Sequence, residues 1–277
     1  MLRTFLLALA CASLHALEPI PDKLVVLTFD DSVASQFHIV RPILKENGFN
    51  ATFFISEGFG FPTNKTDYLT WEQIAQLNKD GFEIGNHTRD HMSVTKQTVP
   101  RLKEQIDVVN RHLAEHGVPK PVSFSWPGNG ITPEAFAILH EMGIRFARRG
   151  GAPEYPYEQG RGFAFEPGID HPLLIPSAGD SRPAWTFEDF KRAVAQAKNG
   201  RIAVLQFHGV PDNEHPWVNT RPELFRDYIK YLRDEHFHVL ALRDLARYVD
   251  ADKWPENPMA IIESRQRTLE ATKSPAP

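Results

Sequence analysis

Residues 83–94 read EIGNHTRDHMSV and set two histidines, His87 and His91, four positions apart where a hydrophobic run ends. If the chain turns helically after His87, the two imidazoles share one face and form a clamp for a metal ion, which then needs a third ligand. Two adjacent carboxylates, Asp30 and Asp31 in TFDDS, follow another apolar run. Burying unpaired carboxylates is costly, and a cation removes that cost. Asp31 with His87 and His91 gives one carboxylate and two imidazoles, a three-ligand set of the kind that leaves a catalytic zinc one position for water. Asp30 points elsewhere along an extended chain and is free to act as a base. Capping of a helix expected at 34–47 would account for one aspartate but not for two.

His208 closes IAVLQFH, a run with no other ionisable group near its end. Histidine titrates near working pH, so His208 is the natural proton donor to a leaving group. Asp180, in SAGDS, is the candidate to orient it; Asp170 precedes its strand and belongs at the other end of the fold. Four further residues are candidate substrate contacts: Trp126 and Pro127 in SWPGNG, Arg149 at the end of IRFARR, and Trp217 in the proline-rich GVPDNEHPWVNT, which also holds His215. Trp217 is either a flat face presented by that loop or the anchor that packs it.

These residues need a scaffold that gathers distant segments at one end. Short apolar runs at 24–29, 51–56, 82–86, 122–126, 144–149, 172–177, 202–207 and 238–242 read as strands. Helical patterns lie near 34–47, 71–79, 98–116, 133–142, 187–198, 222–235 and 242–250. Repeated β-α units with strands buried on both faces predict a parallel sheet, and seven or eight of them predict closure into a barrel. In such barrels chemistry sits on the loops after the strands, which is where the residues above fall.

The chain has 277 residues, 42% of them hydrophobic and 24% charged, enough for one domain with a sizeable core. The opening MLRTFLLALACASLHA has one positive charge, an apolar run and small residues, and reads as a secretory signal over residues 1–16. Its loss would remove the single cysteine, Cys11, so the secreted or periplasmic protein would rely on its core rather than on disulfides. A catalytic domain at 17–250 and a polar tail at 251–277 complete the expected organisation. The net charge of −4 and the lack of a basic patch exclude nucleic acid as the expected partner, and no other run is long enough to span a membrane.

Together the residues resemble the polysaccharide deacetylases, also called the NodB-homology family or carbohydrate esterase family four, over roughly residues 23–245. TFDD is similar to that family's first motif, which implies Asp30 as catalytic base and Asp31 as metal ligand. HTRDH fits the second motif and LQFH the last, which ends in the catalytic histidine, His208. The resemblance implies a distorted (β/α) barrel, usually of seven strands, and metal-assisted removal of acetyl groups from sugars, with zinc as the expected ion and cobalt as an alternative. Two motifs depart from the pattern. Where most members carry an arginine two residues before a proline, this chain has Ser125, so either Arg148 or Arg149 takes over the tether of Asp30 or the aspartate lacks one. Asp180 and Trp185, in GDSRPAW, match the fourth motif only loosely.

The expected activity is therefore removal of acetyl groups, chiefly N-acetyl from an amino-sugar glycan. Two alternatives stand beside it: hydrolysis of a small cyclic amide or ureide on the same fold, and a glycan-binding module without activity.

Overall fold

The structure, a computed structural model, describes residues 16–273. The expected export signal, with Cys11, lies outside the described residues apart from Ala16. Nine strands form one sheet: β1 (Leu24–Phe29), β2 (Thr52–Ile55), β3 (Glu83–Asn86), β4 (Ser123–Ser125), β5 (Phe146–Arg149), β6 (Ile175–Pro176), β7 (Gly179–Asp180), β8 (Ala203–Phe207) and β9 (His238–Leu240). Their order is β6-β5-β4-β3-β2-β1-β8-β7, and every pairing is parallel. Seven helices connect and flank them: α1 (Arg41–Glu46), α2 (Trp71–Lys79), α3 (Leu102–Glu115), α4 (Ala135–Glu141), α5 (Phe187–Val194), α6 (Pro222–Asp234) and α7 (Ala260–Lys273).

The two edges of the sheet belong to one stretch of chain. β6 pairs with β5 and β7 pairs with β8, while between them Ser177 Oγ donates to Arg149 O and Ala178 N donates to Val204 O. Residues 175–180 thus bring the sheet round on itself as a distorted barrel. The expected strand at 172–177 is split because Pro172 and Pro176 carry no N–H for a ladder, and residues 172–174 form a 3-10 turn. Counting the split strand once gives the expected seven positions. β9 is an addition, pairing with Leu24–Val26 on the edge of β1 whose upper part, Thr28 and Phe29, pairs with β2.

Alternation along the strands decides what faces the barrel axis. In β1, Val25, Leu27 and Phe29 face the helices, where Phe29 stacks on Phe53 and Phe207 at 5.1 and 5.3 Å and meets Phe225 of α6 edge-on. Leu24 and Val26 join Phe54, Phe146, Ile175 and Val204 in the inner cluster. Both faces are buried, which is why β1 reads as an unbroken apolar run.

α2 starts on a reciprocal cap, Gln73 N donating to Thr70 Oγ1 and Thr70 N to Gln73 Oε1. The first expected helix instead opens as a wide π turn, Gln36–Val40, before α1. At the C-terminal end α7 buries Ile262 against the cluster around α4, and Arg265 pairs with Asp170 at 2.6 and 2.9 Å. Among the described residues, no helix is long and apolar enough to cross a membrane.

Candidate functional site

Continuing each inward-facing series one step beyond its strand delivers Asp30 from β1, His87 from β3 and His208 from β8 to the same end of the barrel. Asp30 is buried among donors. Both of its carboxylate oxygens contact Nη2 of Arg148, which also reaches Ser125 Oγ; Ser125 Oγ donates to Oδ1 at 3.3 Å and Gln206 Nε2 to Oδ2 at 3.4 Å. Burial opposes ionisation of Asp30, but the Arg148 guanidinium, followed by His87 and His208, outweighs it and holds the carboxyl below its ordinary value.

Of the two arginines closing β5, the pleat selects Arg148. Phe146 faces the inner cluster, so Arg148 faces inward and Arg149 outward. Arg149 forms a buried pair with Glu154 at 2.6 and 2.8 Å and does not line the cleft, which corrects its assignment as a substrate contact.

Asp31 leaves the strand with φ 69° and turns its carboxylate toward the two histidines. Its Oδ1 lies 3.3 Å from His87 Nε2 and 3.4 Å from His91 Nε2. The His87 and His91 rings are 4.9 Å apart. The expected helical turn between them is absent: Thr88 and His91 adopt left-handed conformations, and Met92 N donates to Thr88 Oγ1 at 2.7 Å to close the loop. Of nine non-glycine residues with positive φ among the described residues, Asp31, Ser32, Phe59, Thr88, His91 and Asn129 belong to this site or adjoin its ligands, so backbone strain concentrates here.

The donor set fits a divalent cation. One ligand atom from each of Asp31, His87 and His91 lies within 4.8 Å of the others, and Asp31 Oδ1 is buried without a hydrogen-bond partner. His87 Nδ1 is 2.8 Å from Ser125 O; a carbonyl only accepts, so Nδ1 donates and Nε2 is the atom turned toward Asp31. Burial and then His87 hold His91 down to about 4, leaving its ring neutral and able to ligate.

His208 Nε2 lies 3.9 Å from Asp30 Oδ2 and from Asp31 Oδ2. The expected contact from Asp180 to His208 is not made: Asp180 Oδ2 pairs with Arg182, while Asp180 Oδ1 and His208 Nδ1 are both buried without hydrogen-bond partners. Asp170 is held by Arg265. Gln36 donates from Nε2 to the carbonyl oxygens of Asp30 and His208 and so joins β1 to β8 beneath the two groups.

Aromatic rings rim the cleft above these residues. Trp217, 60% exposed, stands on it with Phe59, Tyr157 and His215. Phe59 lies 4.7 Å from the His91 ring and 4.6 Å from that of His215. Trp126 lines the cleft as a buried wall whose Nε1 donates to Leu173 O, and Pro127 lies beneath the lining rather than in it, which corrects its place among the substrate contacts. Phe59, Tyr157, Gln206 and Arg182 were missed in the sequence. Strand parity signals Gln206, two before His208; no local pattern signals the other three.

Residues 18–147 match the polysaccharide deacetylase family model. The peptidoglycan-N-acetylglucosamine deacetylase of Bacillus cereus is 30% identical over 128 residues, which cover 46% of this chain and 56% of that protein. The chain thus spans little more than half of that relative's length. Among solved structures, a family 4 acetyl xylan esterase from Clostridium thermocellum in complex with a cobalt ion superposes with a TM-score of 0.55 at 21% identity, covering 80% of this chain and 90% of the other. A pseudoenzyme of the same esterase family from Bacillus anthracis gives a TM-score of 0.55 at 15% identity, covering 82% and 66%. The matched segment carries Asp30, Asp31, His87 and His91: residues 18–147 are similar to the polysaccharide deacetylase family, and the solved structures share the fold over a larger part of the chain.

Proposed function

We propose that the protein is a metal-dependent hydrolase that removes acetyl groups from a glycan, chiefly N-acetyl groups from amino sugars. One observation carries the reading: an ionised Asp30 held by Arg148 lies beside the Asp31, His87 and His91 donor set, with His208 facing both carboxylates across an aromatic-rimmed cleft. Asp31, His87 and His91 would hold a divalent cation, zinc or cobalt. When bound, such a cation supplies Lewis acidity toward an acetyl carbonyl and toward water.

The chain's own groups divide the proton work. Asp30 accepts a proton from the water that attacks the acetyl carbon, and Arg148 keeps it ionised for that task. His208 gives a proton from Nε2 to the departing nitrogen as the carbon–nitrogen bond breaks, leaving acetate and a free amine. Phe59 and Trp217 supply apolar faces for sugar rings beside the site.

The apolar opening of the chain supports export and action outside the cytoplasm, on residues 17–250 as the catalytic unit. Arg148 on Asp30, in place of the missing third-motif arginine, favours the deacetylase reading over ring opening. A purely binding role is disfavoured by the presence of all five of Asp30, Asp31, His87, His91 and His208, although the fold also hosts a pseudoenzyme. Acetate release across chitin oligomers, peptidoglycan and acetylated xylan, with a cyclic imide and allantoin as controls, tests the proposal. Ring opening without acetate release would overturn it.

A further inference from the structure

Arg182 follows β7 and is buried, yet it is not part of the cleft lining. Its Nη2 pairs with Asp180, and its guanidinium carbon lies 3.5 Å from the centre of the Tyr157 ring. Tyr157 comes from a different segment, the long connection between β5 and β6, and is 39% exposed on the cleft rim. The ends of that connection are fixed by two other arginines, Arg149 on Glu154 and Arg265 on Asp170. Its middle is bridged to the sheet at Arg161–Gly179 and Phe165–Ile202, and the Tyr157 ring before these bridges rests on Arg182.

We propose that Arg182 is a positioning residue that sets substrate specificity: its flat guanidinium backs the Tyr157 ring and fixes it as a preformed wall against which the apolar face of a pyranose ring packs. Charge alone does not explain the arrangement. A lysine would neutralise Asp180 equally well, but only a planar guanidinium can pair with a carboxylate through one edge nitrogen while its flat face stacks on a ring. Tyr157 is thereby tied to the carboxylate that sits next to β8, so the wall is registered to the strand that carries His208. The inference rests on the cleft being a carbohydrate site.

The test uses Arg182→Lys, Tyr157→Leu and the double variant in the intact protein, with bound metal and thermal unfolding checked for each. Dissociation constants for tri- and tetrameric N-acetylglucosamine are measured by calorimetry, with kcat and KM on the same oligomers and on a small aryl acetate. Each single change should raise Kd and KM for the oligomers about fivefold, lowering kcat/KM on oligomers relative to the small ester by a similar factor. The double variant should be no worse than Tyr157→Leu, because the arginine acts through the ring. Unchanged oligomer affinity in either single variant, or losses that multiply in the double variant, would overturn the proposal. If Arg182→Lys does not fold, Tyr157→Leu at its half-exposed position still decides whether the wall exists. Absence of acetate release by the wild type would sink the functional reading, while the Kd comparison still decides the role of Arg182; absence of oligomer binding by the wild type would sink both.

Discussion

Arg148 and Asp30, 118 residues apart in the chain, meet in the barrel interior with one guanidinium nitrogen on both carboxylate oxygens. Removing one member of a buried pair leaves the other charged and unsolvated, at about 3–5 kcal/mol. Arg148→Leu should therefore lower turnover per folded molecule by about 10² or more, since general-base catalysis contributes that much, while metal content is kept. Arg149→Leu should weaken folding by a similar mechanism through Glu154 but leave turnover per folded molecule within a few fold. Turnover normalised to folded protein for the two variants is the measurement; equal catalytic losses would show that Arg148 has no special tie to the base.

The metal site gives a second expectation. His87 is fixed by Ser125 O and shares Asp31 Oδ1 with His91, so His87→Ala removes one of three ligands and should lose bound zinc and nearly all activity. Strong chelation of the native protein should abolish activity, and zinc or cobalt should restore it. A full metal complement in His87→Ala by elemental analysis, or turnover that survives chelation, would rule out the ligand set.

The adjacent aspartates should separate under the same assay. Asp31→Asn replaces an anionic ligand by a neutral one, so metal affinity falls and excess metal partly restores turnover. Asp30→Asn keeps the metal and loses the base, a drop of about 10² to 10⁴ in rate that added metal does not repair. Metal stoichiometry beside turnover, with metal returned in steps, distinguishes them. Identical behaviour of the two variants would show that Asp30 and Asp31 share one role.

Most of the scaffold was legible because its signals are local. Buried parallel strands write continuous apolar runs, and the expected helix at 71–79 coincides with α2, whose Thr70 and Gln73 form its cap. The end-of-strand rule gathered Asp30, Asp31, His87, His91 and His208 because barrel geometry brings every strand's far end to one rim. The choice between Arg148 and Arg149 was not legible in this way: alternation puts the two on opposite faces, and which face is inner follows from the packing of Phe146. What escaped depended on contacts between distant segments. Asp180 was matched to His208 by its place on the rim, but a partner two residues away, Arg182, took the carboxylate. Phe59 and Tyr157 reach the cleft on long loops whose paths follow from packing and not from periodicity. The histidine spacing was read as a helical turn, whereas left-handed residues at Thr88 and His91 bring the imidazoles together by another route.

At the opposite end of the barrel Glu83 is buried, with Oε2 accepting from Arg243 N at 2.8 Å and Thr52 Oγ1 at 2.7 Å. Burial raises its carboxyl above the ordinary 4.5, and the hydrogen bonds from Thr52 and Arg243 offset this only in part. Below pH 4.5 the carboxyl is protonated in the folded and unfolded chains alike, so it costs nothing. As pH rises through the raised folded value, the unfolded chain ionises more readily, and the native state loses stability. Glu83→Gln keeps an oxygen for Arg243 and Thr52 without the charge. The melting temperature of the variant relative to wild type should thus be near zero difference at pH 4 and become increasingly favourable toward pH 8. Thermal unfolding of both proteins across that range is the check. A difference that stays flat, or that shrinks as pH rises, would mean that Glu83 is satisfied as an anion where it stands.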